Sequence, residues 1–184
     1  MLLDTPLCDF GWKAPSFELP DAQGKLHKLE DYAGENGTLV AFICNHCPYV
    51  IAIIERLVED AKALQSDGVN VIAVMANDYQ AYSADAPDKM IEFAAQYDLP
   101  FPYLVDEAQE VARAYDAVCT PDFFGFNADF ELQYRGRLDA SKREAVAGAK
   151  RELLEAMQQV AKTGKGPADQ IASMGCSIKW RSAA

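Results

Sequence analysis

Histidine is nearly missing: His27 and His46 are the two in 184 residues. Cysteine is sparse and uneven, with Cys8, Cys44, Cys47, Cys119 and Cys176 giving one C-x-x-C and no second. Structural zinc usually takes two Cys/His pairs, so half of such a ligand set is lacking. An odd number of irregularly spaced cysteines also argues against a disulfide scaffold. No apolar run approaches the ~18 residues of a membrane span. The opening "MLLDTPLCDFGWKAP" has neither the basic n-region nor the apolar core of a signal peptide. The chain therefore reads as soluble and cytoplasmic, without a membrane partner. Clusters of Lys and Arg are absent too, and the net charge is −11. Such an acidic surface repels phosphate backbones, which excludes nucleic acid as a partner class. There is no internal repeat and no low-complexity segment.

What is present suits one domain with a real core: half the residues are hydrophobic and 24% are charged. "APSFELPDAQGKLHKLEDYAG" reads as a hairpin, with Phe17 and Leu19 alternating and a turn at Gln23-Gly24. "TLVAFI" (38–43) is continuously apolar, as a strand covered on both faces would be. Over residues 49–64, Val50, Ile51, Ile54, Leu57, Val58, Ala61 and Leu64 recur at helical spacing, ending at Asp67-Gly68. "VNVIAVM" (69–75) is a second buried strand, which predicts a right-handed crossover and parallel pairing.

Beyond it come a polar loop, a helix near 87–97, a short strand at "PYLVD" and a helix at "EAQEVARAYDA". "DFFGF" and "FELQYRG" then read as an antiparallel hairpin about Asn127-Ala128-Asp129. A long amphipathic helix is expected near 142–162, with Val146, Leu153, Met157 and Val160 on its apolar stripe. The sum is α/β: a central mixed sheet flanked by helices, residues 1–163 with their N-terminal hairpin forming the domain. Residues 164–184 are a tail.

The question is what "VAFICNHCPYV" does. Cys44 sits where a buried strand ends and a helix is expected to start, so free N–H groups and the helix dipole would favour a thiolate. Cys47 would lie one turn along, within reach of a disulfide with Cys44. Pro48 fits a helix's first turn, where its missing N–H costs nothing. Three readings stay open: a redox dithiol, a soft-metal site using Cys44, His46 and Cys47, or two buried thiols. Position after a strand and before a helix favours the dithiol.

The second locus is "VCTPDFF", where Thr120-Pro121 opens a strand after a loop. Strand–C-x-x-C–helix followed by Thr-Pro before an antiparallel hairpin resembles the thioredoxin superfamily. "KAPSFELPD", "FICNHCPYV", "CTPDFFGFN" and "GCSIKW" resemble its peroxiredoxin-like branch, near the alkyl hydroperoxide reductase/thiol-specific antioxidant proteins. The resemblance implies a thioredoxin-like fold with an N-terminal β-hairpin extension, a cis Pro121 and a Thr120 facing Cys44. It implies catalytic Cys44 and Cys47 and no cofactor. The partners would be a disulfide-containing protein or small thiol, and an external thiol electron donor.

The pattern departs from the resemblance in three places. Gly37 and Ala41 stand where a peroxide-binding signature would carry Pro and Thr, so efficient peroxide reduction is not expected. Arg135 is the remaining candidate for a site arginine, or a surface residue at a strand end. "TLVAFI" carries no carboxylate to accept a proton from Cys47. His46 resembles the histidine of oxidising dithiols, where a cationic imidazole stabilises the thiolate and raises the reduction potential. With no buried carboxylate it predicts a dithiol more oxidising than thioredoxin.

Cys119 and Cys176 are candidates for additional redox roles. The patch "SMGCSIKW" predicts a docked tail, with Trp180 as anchor and Gly175 in a tight turn. Docking near Thr120-Pro121 would bring Cys176 towards Cys119 or Cys44, and an intermolecular Cys176 bond would make a homodimer. The functional expectation is a thiol–disulfide oxidoreductase. The alternatives are a thiol-dependent peroxidase and a non-catalytic thiolate metal-binding or redox-sensing module.

Overall fold

Strand β4 (Gly37–Phe42) is the centre of the molecule, and its side chains alternate between two cores. The computed structural model describes residues 1–182; the last two residues of the expected tail lie outside them. Leu39, Ala41 and Ile43 face one layer with Ile54, Leu57, Val71, Leu153 and Met157. Val40 and Phe42 face the other with Ile72, Val74, Tyr115, Phe124 and Phe126. Burial on both faces is why the run is continuously apolar. Each fully buried aromatic or aliphatic side chain there contributes roughly 1.5–3 kcal/mol.

Strand β5 (Val69–Met75) pairs parallel with β4, and β6 (Tyr103–Val105) parallel with β5. Strand β8 (Asp122–Phe126) pairs antiparallel with β4 on its other side, and β9 (Leu132–Tyr134) closes that edge. The order β6-β5-β4-β8-β9 is the expected mixed sheet. The N-terminal hairpin is β2 (Glu18–Pro20) with β3 (Leu26–Lys28), turning at Gly24, whose φ of +87° suits glycine.

A second, three-stranded sheet was not legible in the sequence. It joins β1 (Leu2–Asp4), β10 (Met174–Ser177) and β7 (Cys119–Thr120), all antiparallel. Its middle strand is the tail segment. The chain passes from β7 into β8 through the Thr120–Pro121 peptide, which is cis.

Helices differ from expectation in two places. Residues 49–64 form α1 (Pro48–Ile51) and α2 (Ile54–Ser66), interrupted at Ala52-Ile53. The other helices are α3 (Pro87–Gln96), α4 (Glu110–Ala114) and α5 (Glu152–Thr163). The long helix expected near 142–162 thus begins ten residues late, and Val146 is 43% exposed rather than on its apolar stripe. Side chains take the first segment out of helical geometry. Asp139 pairs with Arg56 and Arg151 with buried Asp60, both on α2, while Ser141 Oγ caps the Val146 N–H at 3.0 Å. No helix among the described residues is long and apolar enough to cross a membrane.

Candidate active site

Parallel strands leave a crevice beyond their carboxyl ends. Here β4 ends at Phe42, and Ile43-Cys44 runs into that crevice. The helix starts later than expected: Cys47, not Cys44, is the N-cap of α1, with Pro48 in the first turn. Cys44 therefore does not cap the dipole. It lies between β4 and a bend at Asn45-His46, held by its neighbours. The Asn45 N–H donates to Asp85 Oδ1 at 2.8 Å, Asn45 Nδ2 donates to the Ala84 carbonyl, and the Tyr103 hydroxyl donates to Asn45 Oδ1 at 3.0 Å.

Both sulfurs are shut from solvent, Cys44 being 1% and Cys47 0% exposed. Both meet Thr120, the residue before the cis proline. The Thr120 hydroxyl is 3.4 Å from Cys44 Sγ, and Cys47 Sγ donates to the Thr120 carbonyl at 3.1 Å. The hydrogen bond between the sulfurs splits their proton affinities: taken with the thiol on Cys44, it pushes Cys44 well above an ordinary thiol and draws Cys47 down to about 4. Donation from the Cys44 thiol, then from the Thr120 hydroxyl and the Cys176 amide and thiol, pulls Cys47 down against its burial. The Thr120 carbonyl opposes that: an anion against a carbonyl oxygen at 3.1 Å is repelled, whereas a thiol is bound. Cys47 therefore keeps the shared proton, and the Thr120 hydroxyl donates to a thiolate on Cys44.

A buried carboxylate is present, contrary to the reading of "TLVAFI". It is Asp85, fully buried in a short 3-10 turn (Ser83–Asp85) of the polar loop. Its Oδ2 lies 2.8 Å from His46 Nδ1 and accepts from Asn77 Nδ2 at 2.8 Å. The histidine contact is an ion pair by distance rather than an aligned hydrogen bond. Burial works to raise the Asp85 carboxyl, but His46, Asn77 and the Asn45 N–H outweigh it and hold it low. Asp85 in turn raises His46, whose ring stacks parallel to Tyr82 with centroids 6.0 Å apart. The expected oxidising character thus loses one of its two supports, because Asp85 also raises Cys44.

A pH prediction follows from this pair. A raised histidine stabilises the fold fully below its unfolded value of about 6.5, and that contribution fades as pH rises through the folded value. The stability difference between wild type and His46→Ala, from urea unfolding, is expected to be largest between about pH 5 and 6.5. It should shrink at alkaline pH. A difference constant across pH 5–9 would show that His46 carries no charge in the fold.

The other expected site residues separate. Cys119 is buried on β7, its thiol donates to the Pro121 carbonyl at 3.7 Å, and burial pushes it far up. Cys176 lies on β10 opposite Thr120 and approaches Cys47 with its thiol and its backbone amide. Gly175 is in that strand, not in a turn; a Cβ there would strike the Thr120 carbonyl, so glycine lets β10 close on the loop. Ile178 is the buried anchor, 3% exposed, whereas Trp180 is 37% exposed beneath the Arg113 guanidinium. Arg135 is neither a surface nor a site arginine. It is buried against Asp122 and stacked on Phe124. Cys8 is remote, pushed up to about 11 by burial. For a metal, Cys44, His46 and Asp85 offer ligand atoms within 4.8 Å of one another. Asp85 is already held by Asn45, Asn77 and His46, so a metal there would share its carboxylate with them.

Sequence reasoning missed Asp85, Asn77 and Tyr103. Each becomes a site residue through contacts distant in sequence, and no local pattern announces them.

The AhpC/TSA family profile matches residues 10–140. The thiol–disulfide oxidoreductase ResA of Bacillus thuringiensis subsp. konkukian is 29% identical over 125 residues, which is 66% of this chain and 65% of that protein. The chain thus matches just under two thirds of that relative's length. The crystal structure of an uncharacterized conserved protein from Geobacillus kaustophilus superimposes with a TM-score of 0.93 at 38% identity, covering 100% of this chain and 98% of that one. The thioredoxin domain of a Bacteroides vulgatus thiol–disulfide oxidoreductase gives 0.57 at 16% identity over 68% and 86%, a likeness that places the fold as thioredoxin-like.

Proposed function

This chain belongs to the AhpC/TSA family, and from that premise we propose that it is a thiol–disulfide oxidoreductase whose working pair is Cys44 and Cys47. The observation that carries the reading is the meeting of both sulfurs at Thr120, beside cis Pro121, at the carboxyl end of β4. The Cys44 thiolate attacks one sulfur of a partner disulfide. A Cys44–partner bond forms, and the other sulfur leaves with the electron pair and takes up a proton. Cys47, passing its proton to the departing partner sulfur, then attacks Cys44 Sγ and expels the second partner thiol. The Cys44–Cys47 disulfide remains, and an external thiol donor reduces it. His46, its basicity raised by Asp85, lies within 4.8 Å of Cys44 Sγ, and Thr120 positions both sulfurs.

The test is graded oxidation with glutathione disulfide followed by peptide mapping. The first bond formed is expected to join Cys44 and Cys47, reversibly. Oxidation that leaves both reduced while other cysteines react would overturn the reading.

Peroxidase activity is the second reading, favoured by the family. The site supplies little for it. Gly37 and Ala41 bring no hydroxyl, and Arg135 is held by Asp122. Cys44 is expected to react with hydrogen peroxide no faster than an ordinary thiolate, measured by stopped-flow fluorescence or competition. A rate constant orders of magnitude higher would put peroxide reduction first.

A further inference from the structure

The pair just described is sealed, yet a dithiol enzyme must exchange electrons with something outside. One thiol spans the gap. Cys176 is half-buried: it packs against the core layer that holds Cys44 and Cys47, pairs in β10 with the Thr120 whose carbonyl binds Cys47, and reaches solvent, whereas Cys44 and Cys47 do not. It is held in place on both sides: β10 pairs with β1 through Leu2 and with β7 through Thr120. Gly175 lets the strand close on the Thr120 carbonyl, Ile178 is buried behind it, and the Lys179 N–H donates to Asn77 Oδ1 at 2.8 Å. Asn77 also holds Asp85, so the strand carrying Cys176 and the loop carrying the site carboxylate share one support.

We propose that Cys176 is the outlet of the site, a third thiol that draws the disulfide off the buried pair and presents it to external thiols. This rests on the dithiol reading and adds the route by which the pair is re-reduced. Cys176 loses its proton to water and its thiolate attacks Cys47 Sγ. The Cys47–Cys176 bond forms, the Cys44–Cys47 bond breaks, and the electron pair stays on Cys44, where the Thr120 hydroxyl receives it. A small external thiol, itself deprotonated, then attacks Cys176 Sγ at the surface and releases Cys47, which regains its proton against the Thr120 carbonyl. A second small thiol attacks the external sulfur, freeing Cys176 and leaving as the oxidised small disulfide. Two external thiols are oxidised and one protein disulfide is reduced. A thiol fixed beside its target acts at an effective concentration of the millimolar order or above, so the internal step outruns direct attack on a buried bond.

Two full-length variants test this with glutathione as the probe. In Cys44→Ser, glutathione disulfide is expected to drive a Cys47–Cys176 bond in near-stoichiometric yield by peptide mapping. In Cys176→Ser, the Cys44–Cys47 bond still forms, but glutathione reduces it at least about tenfold more slowly than in wild type. No Cys47–Cys176 bond in the first variant, or wild-type re-reduction in the second, would overturn the outlet while leaving the dithiol reading intact. Failure of the Cys44–Cys47 bond in both wild type and Cys176→Ser would instead remove the dithiol reading, and the outlet with it.

Discussion

Cys47→Ser protein is expected to accumulate a covalent mixed disulfide through Cys44 when it meets a disulfide substrate, and Cys44→Ser protein to accumulate none, because any adduct there is resolved by a neighbouring thiol. The asymmetry comes from Thr120. Its hydroxyl faces Cys44 at 3.4 Å, where it donates to an anion, and its carbonyl faces Cys47 at 3.1 Å, where it holds a proton. Position on α1 does not decide it, since Cys47 rather than Cys44 is the N-cap. Removing Cys47 deletes the sulfur that would release the partner. Cys176 lies against the deleted sulfur, so it is poorly placed to take over. Removing the nucleophile should lower turnover by on the order of a thousandfold or more, as for other covalent catalysts. Non-reducing electrophoresis and mass spectrometry of the adduct measure the trap. A mixed disulfide on Cys47 in the Cys44→Ser protein, at a yield matching the reverse variant, would reverse the assignment.

The parts of this site that were legible in the sequence are the local ones. A continuously apolar strand, two cysteines three apart after it and a Thr-Pro before an aromatic strand all lie within short windows. Their meanings follow from covalent spacing and from burial on both faces. Asp85 was not legible because its role depends on contacts with Asn45, 40 residues away, and on a 3-10 turn inside a polar loop. Strand β10 was not legible as a strand either. It is four residues long with a glycine in it, and both its partners lie more than 50 positions away, so no alternation marks it. The late start of α5 has the same origin. Residues 142–151 carry a helix-compatible pattern, but Asp139 and Arg151 are drawn to Arg56 and Asp60 on α2. Trp180 illustrates a bias: the largest apolar side chain was read as the anchor, while Ile178 fills the core and the indole lies at the surface under Arg113.

Arg135→Met is expected to cost about 3–5 kcal/mol at pH 8, the usual penalty for stranding one charge of a buried pair. Asp122 is fully buried, Arg135 is 7% exposed, and the two meet at 3.2 Å. Burial pushes the Asp122 carboxyl up to about 6, with Arg135 pulling the other way. The folded value is therefore above the unfolded one of about 3.9, so the native state binds more protons and stability falls as pH rises from about 4 through 6. Without the guanidinium the folded value climbs further. The deficit of the variant should then be largest above about pH 7 and shrink towards pH 5, where Asp122 is neutral in either protein. Urea unfolding at several pH values measures it, and Asp122→Asn in the same chain should restore most of the loss at pH 8. A deficit below about 1 kcal/mol, or one independent of pH between 5 and 8, would mean that the pair is not buried in the way described. The consequence reaches the sulfurs. Asp122 follows Pro121 directly and accepts from the Val118 N–H at 3.2 Å, so it braces both ends of the turn that presents Thr120. An unpaired anion there weakens the brace. The variant should therefore also lose Cys44 thiolate reactivity at alkaline pH, and regain it when Asp122 is made neutral.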